Sequence, residues 1–177
     1  MLNKFKTAFV LLLIGAFSGG LIYIVNDITA PIIAANEEAR KVEFYSEIFG
    51  VDKEVGVNYE ECSVCPEGLD EIVISSKDNQ VLGVVYFGST NNSYGQVDVM
   101  VGINNDGTIA MVVIAGSTNT PNFVKKIEKE YLSQFTNQTA DPETVEFDSS
   151  TGASYTYGSV QEIVEKAVTA YTEGSAE

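Results

Sequence analysis

The residues with the greatest capacity for chemistry form one run, Asp148-Ser149-Ser150-Thr151-Gly152-Ala153-Ser154-Tyr155-Thr156. Its hydroxyls cluster about Gly152 and Ala153, whose small side chains let a ligand come close to the backbone. The run precedes apolar residues at helical spacing, so it enters a helix whose first N–H groups lack intrahelical partners. Hydroxyls beside such a helix end outline a phosphate site that the helix dipole stabilises without any basic side chain. Two plainer readings compete on the residues alone. One is an ordinary helix entrance with Thr156 or Ser159 as N-cap. The other is a hydrolase nucleophile elbow at Gly152-Ala153-Ser154, which has Thr156 where the last glycine belongs. The chain contains no histidine, so that elbow, and Ser or Cys hydrolases that use a histidine base, are excluded.

Cys62-Ser63-Val64-Cys65 is the other pair of reactive groups. The spacing suits a small disulfide, a redox dithiol or half a zinc site. With two cysteines in all and no histidine, zinc has no second pair of ligands, and no metal site is expected. A disulfide is the expectation, with thiol–disulfide exchange as the sharper alternative.

These residues sit on a chain with a sharp division. From Thr7 to Asn26 no residue is charged, and the run is long enough to cross a bilayer as one helix. Lys4 and Lys6 precede it and Asp27, Glu37 and Glu38 follow, which predicts a cytoplasmic N-terminus and an extracytoplasmic ectodomain in the cell membrane. A cleaved signal peptide is the competing reading, although the apolar run exceeds the ~7–15 residues of a signal core. All 25 acidic residues but only eight of the ten basic ones lie beyond Asn26. Such an acidic surface repels phosphate backbones, so nucleic acid is not an expected partner.

The expected organisation is residues 1–30 as tail and span, 31–70 as a helical stalk with the cysteine loop, and 71–177 as the functional domain. A stalk helix is predicted from Asn36 to Phe49, followed by a polar loop to residue 70. Strands are predicted over 71–75, 80–87, 96–103, 108–115 and 145–147, with Asn105-Asp106-Gly107 as a hairpin signal. Pro121 suits the first turn of a helix that carries Phe123, Val124, Ile127, Tyr131, Leu132 and Phe135 on one face. A last helix is predicted from about Ser159 to Tyr171. The fold class is α+β: a twisted antiparallel sheet with helices packed on it.

The run from Asp148 to Ser154 resembles the flavinylation motif D-x-x-(S/T)-G-A-(S/T), in which a flavin transferase takes FMN from FAD and esterifies it to the last hydroxyl. Asp148, Thr151, Gly152, Ala153 and Ser154 fill every specified position. The resemblance extends to the FMN-binding domain of the Rnf complex G subunit and of the sodium-pumping quinone reductase C subunit. It is carried by the N-terminal span, Tyr94-Gly95, Asp106-Gly107-Thr108-Ile109, Thr120-Pro121 and Tyr131-Leu132-Ser133-Gln134-Phe135. The chain departs from the family at Asn119-Thr120-Pro121-Asn122, where E-T-P-G is usual, and at Ser154, where threonine is commoner.

The resemblance implies FMN as cofactor, joined by a phosphoester to Ser154, with Thr151, Gly152, Ala153, Tyr155 and Thr156 around it and Asp148 read by the transferase. It places the turn Asn119, Thr120 and Pro121 beside the flavin. It implies an electron-carrier subunit of an ion-translocating ferredoxin:NAD oxidoreductase, with no independent turnover. Its partners would be the other membrane subunits, the transferase during maturation, and membrane lipid. A stand-alone flavinylated carrier for extracellular electron transfer and a flavin-free anchored interaction domain are the alternatives.

Overall fold

The computed structural model describes residues 2–52, 55–62, 68–146 and 152–174. It divides into two units, one up to Lys41 and one from Val42 onward. A single helix, α1 (Leu2–Ile48), supplies the whole of the first unit and the beginning of the second.

In the first unit, large apolar side chains from Phe9 to Ile33 are exposed. The helix is long and apolar enough to cross a membrane. The stalk helix expected to start at Asn36 is thus the continuation of this one, since Pro31 lies within α1. Proline removes one i→i−4 bond from an otherwise intact ladder, and a helix supported along its length can absorb that loss.

The second unit is built on an antiparallel meander in which each strand pairs with the next: β1 (Asn58–Glu61), β2 (Leu69–Ser75), β3 (Val81–Asn92), β4 (Gly95–Asn104) and β5 (Ile109–Ser117). The turns follow from their residues. At the β4–β5 hairpin Gly107 takes φ +79°, and Asp106 Oδ1 accepts the Thr108 amide at 2.9 Å. The two hydrogen bonds from Thr108, the hydroxyl's first, hold the Asp106 carboxyl below the usual carboxylate range.

Both faces of the sheet are covered, which is why β4 reads as a nearly continuous apolar run. Val97, Val99, Val101 and Ile103 point to one face, where they join Ile109, Val112 and Ile114 of β5 and the residues of α3 (Ser154–Gly174). Met100 points to the other, where Tyr45 and Ile48 at the end of α1 pack with Ile72, Ile74 and Val85. Each such side chain contributes about 1.5–3 kcal/mol on burial. Gly102 admits α1 to this second face, because any β-carbon there would overlap the Ile48 side chain.

After β5 come α2 (Pro121–Glu130) and a short 3₁₀ helix, Leu132–Phe135. Ile127, Leu132 and Phe135 are buried on the α3 side of the sheet. Phe123, expected on that inward face, is 46% exposed. The expected strand at 145–147 does not form at Val145 and Glu146. Their amides bond to Asp141 O at 3.0 Å and Gln138 Oε1 at 2.8 Å, contacts of a loop. Phe147 lies outside the described residues. Conversely, β1 occupies part of the expected polar loop.

Candidate functional site

The helix α3 begins at Ser154, earlier than the expected start near Ser159. Gly152 makes the entry possible: its φ of +61° lies in the left-handed region, where a side chain costs about 1–2 kcal/mol. The first helical bond runs from the Tyr157 amide to Ala153 O at 3.0 Å. The amides of Ser154, Tyr155 and Thr156 therefore face out of the helix end with no intrahelical acceptor. Alanine at position 153 has no side-chain oxygen to cap them, and the first turn holds no acid. Thr156 is buried inside that turn, so it is not the N-cap.

What anchors the helix entrance is a contact across 37 residues of sequence. Asn119 Nδ2 donates to Thr156 Oγ1 at 3.0 Å, joining the β5–α2 turn to the first turn of α3. Asn119 is 4% exposed, and its own amide donates to Ser117 Oγ at 3.1 Å. Its Oδ1 is buried with no hydrogen-bond partner. An unpaired buried carbonyl costs about 1–3 kcal/mol, a cost that a ligand's donor removes.

These groups meet in a cleft of about 240 Å³ lined by Tyr94, Asn119, Thr120, Phe123 and the run Gly152, Ala153, Ser154, Tyr155 and Thr156. Its wall includes aromatic rings that are not packed away: Tyr94 and Tyr155 are 60% and 56% exposed and meet edge to face, centroids 5.2 Å apart. Asn92 holds this wall in place, since its Oδ1 accepts the Tyr94 amide at 2.8 Å and its Nδ2 donates to Ser159 Oγ at 2.8 Å.

The cleft brings together two regions that the sequence separates, the hydroxyl run and the Asn119-Thr120 turn. Pro121 starts α2 beside it and is not in its lining. Asp148, Thr151 and Cys65 lie outside the described residues. Cys62 follows the edge strand β1, its amide bonded to Glu71 O at 2.9 Å, and takes no part in the cleft. Tyr94 and Phe123 are lining residues that the sequence reading does not assign to the site. The Tyr94-Gly95 pair is a usable signal for the first, whereas helical spacing misassigns the second.

One cation stands at the cleft. Lys126 Nζ lies 3.4 Å from the point where a β-carbon of Gly152 would be. The fold lays α2 against the α3 entrance and so brings a basic side chain beside the hydroxyl run.

The second unit is an α+β domain, a five-stranded antiparallel meander with helices packed on it and a partly aromatic cleft at the α3 entrance. Residues 93–169 match the family described as the FMN-binding domain. Over 81 residues it is 36% identical to the G subunit of the Na(+)-translocating ferredoxin:NAD(+) oxidoreductase complex of Acetobacterium woodii. That stretch covers 45% of this chain and 39% of the relative.

Proposed function

We propose that this chain is an electron-carrier subunit of a membrane-bound Rnf-type complex, with FMN linked through its phosphate to Ser154. The observation that carries the reading is the cleft itself. It joins an exposed serine at a helix N-terminus, a buried amide oxygen without a partner, and exposed aromatic rings.

The residues fit the group. Ser154 offers its Oγ for the ester, and the amides of Ser154, Tyr155 and Thr156 supply donors and the positive helix end to a phosphate. Asn119 Oδ1 supplies an acceptor to a ligand N–H or hydroxyl. Tyr94, Phe123 and Tyr155 supply apolar surface for a ring system. At about 240 Å³ the cleft is smaller than the roughly 300–1,000 Å³ that engulfs a drug-sized ligand, so part of a flavin nucleotide stays outside. Such exposure suits electron exchange with neighbours. When bound, FMN supplies the redox chemistry, and the protein contributes position and surroundings.

Attachment balances as a phosphoryl exchange. Ser154 Oγ forms a bond to the flavin-side phosphorus of FAD, the bond between the two FAD phosphates breaks, AMP departs, and the hydroxyl proton is released. A flavin transferase is the maturation partner, and the other membrane subunits are the working partners. Lys4 and Lys6 ahead of the span orient the domain away from the cytoplasm.

The test is intact mass of the full chain produced with its flavin transferase. Wild type gains the mass of one FMN less water, on the peptide containing Ser154. Ser154→Ala gains none and Ser154→Thr retains the gain. Undiminished covalent flavin in Ser154→Ala overturns the assignment.

A further inference from the structure

The charge distribution at the α3 entrance calls for an account that the helix end does not provide. The ectodomain is strongly acidic, yet three of its eight basic residues, Lys125, Lys126 and Lys129, fall in the ten residues of α2. Lys126 is one helical turn from Phe123, and residues three apart share a helix face. Phe123 lines the cleft, and Lys126 follows it against Gly152. Among the described residues Lys126 is in no ion pair, whereas Lys166 pairs with Glu162 at 2.8 Å. A lysine ammonium beside outward-facing helix amides, with no carboxylate on it, is an arrangement that favours an anion. A further observation points to a ligand in the same cleft: the buried Asn119 Oδ1 has no partner.

Gly152 gains a second meaning from this contact. A β-carbon there would strain the backbone and come into contact with the ammonium at 3.4 Å. Lys125 is the adjacent comparison: it is exposed, whereas Lys126 is half-buried against Gly152.

We infer that Lys126 is the positioning cation for a phosphate carried on Ser154. Its ammonium neutralises the phosphodiester while the Ser154–Thr156 amides supply donors from the helix end. This rests on the reading of Ser154 as the flavin-bearing residue and adds a partner for the charge that the ester introduces. Lysine serves as a compact point charge there, so arginine can replace it in part.

The experiment uses the full chain in detergent micelles, with purified flavin transferase and FAD. Intact mass follows the rate of FMN attachment, and ³¹P NMR reads the finished phosphodiester. Lys126→Ala is expected to slow attachment about fivefold, the size of an exposed charge pair. It also shifts the ³¹P resonance of the completed adduct. Lys126→Arg restores most of both, and Lys125→Ala leaves both as in wild type. Raising the salt concentration slows wild type and not Lys126→Ala, because screening acts on a charge the variant lacks. A slower rate with an unmoved ³¹P resonance would assign Lys126 to transferase docking and overturn the proposal. So would equal loss in the arginine and alanine variants, or a wild-type rate in Lys126→Ala. If wild type itself gains no flavin at Ser154, the reading of the site fails, an outcome separate from those three.

Discussion

Gly95 is the position where a single methyl group best tests the construction of the cleft. It opens β4 with φ +135°, in a region that L-residues rarely adopt. A β-carbon there would overlap Thr118 Oγ1 and stand 3.3 Å from Asn119 Oδ1. Thr118 cannot simply rotate away, because its Oγ1 accepts the Gln96 amide at 2.8 Å. Gly95→Ala therefore carries a backbone strain of about 1–3 kcal/mol and a lost hydrogen bond of about 0.5–1.5 kcal/mol, together about 2–4 kcal/mol. With a urea dependence of about 2 kcal/mol/M, the unfolding midpoint falls by about 1–2 M. The chain has no tryptophan, so tyrosine fluorescence and circular dichroism follow the transition. In a Thr118→Ala background the overlap with Oγ1 and the hydrogen bond it would break are both gone, so Gly95→Ala costs less there, though Thr118 Cβ at 3.2 Å still crowds the new methyl. A midpoint within about 0.25 M of wild type, or an identical cost in both backgrounds, would refute the turn as described.

Three further outcomes are expected. Asn119→Leu strands Thr156 Oγ1 and costs about 1–2 kcal/mol, while adding Thr156→Val recovers most of that because both polar partners are then gone. Denaturant titrations decide it, and a double variant as unstable as the sum of the singles contradicts the Asn119–Thr156 bond. Tyr86 is buried opposite Glu71, and burial first, then the Glu71 charge and hydrogen bond, raises its phenol well above the ordinary 10.0. The folded state therefore holds this proton more tightly, so the Tyr86 contribution is complete below pH 10 and is lost as pH rises beyond it. Thermal melts from about pH 9 upward should show a shallower decline in Tyr86→Phe, and identical slopes would count against that environment. Protease added to intact cells should trim the domain and spare the N-terminal tail, and a fully protected domain would reverse the orientation.

Much of this protein is legible locally. Apolar runs and their lengths determine the span and the strands, because a sheet covered on both faces buries successive residues. Asp106-Gly107 marks the β4–β5 turn through its own backbone preferences, and the hydroxyl run beside Gly152 marks the entrance to a helix. The continuity of α1 through Pro31 is not legible, since one missing donor is a small defect in a long ladder. Nor is β1, whose acidic Asn58–Glu61 segment becomes a strand only by pairing with β2 at the sheet edge. Phe123 shows the limit of periodicity: the spacing places it on a helix face, but the cleft opening beneath that face leaves it exposed. The start of α3 at Ser154 depends on Asn119 reaching Thr156, a contact between residues 37 positions apart. Lys126 has no motif of its own. Only the packing of α2 against the α3 entrance brings its ammonium to Gly152, because electrostatic neighbours are chosen by tertiary distance, which local spacing does not encode.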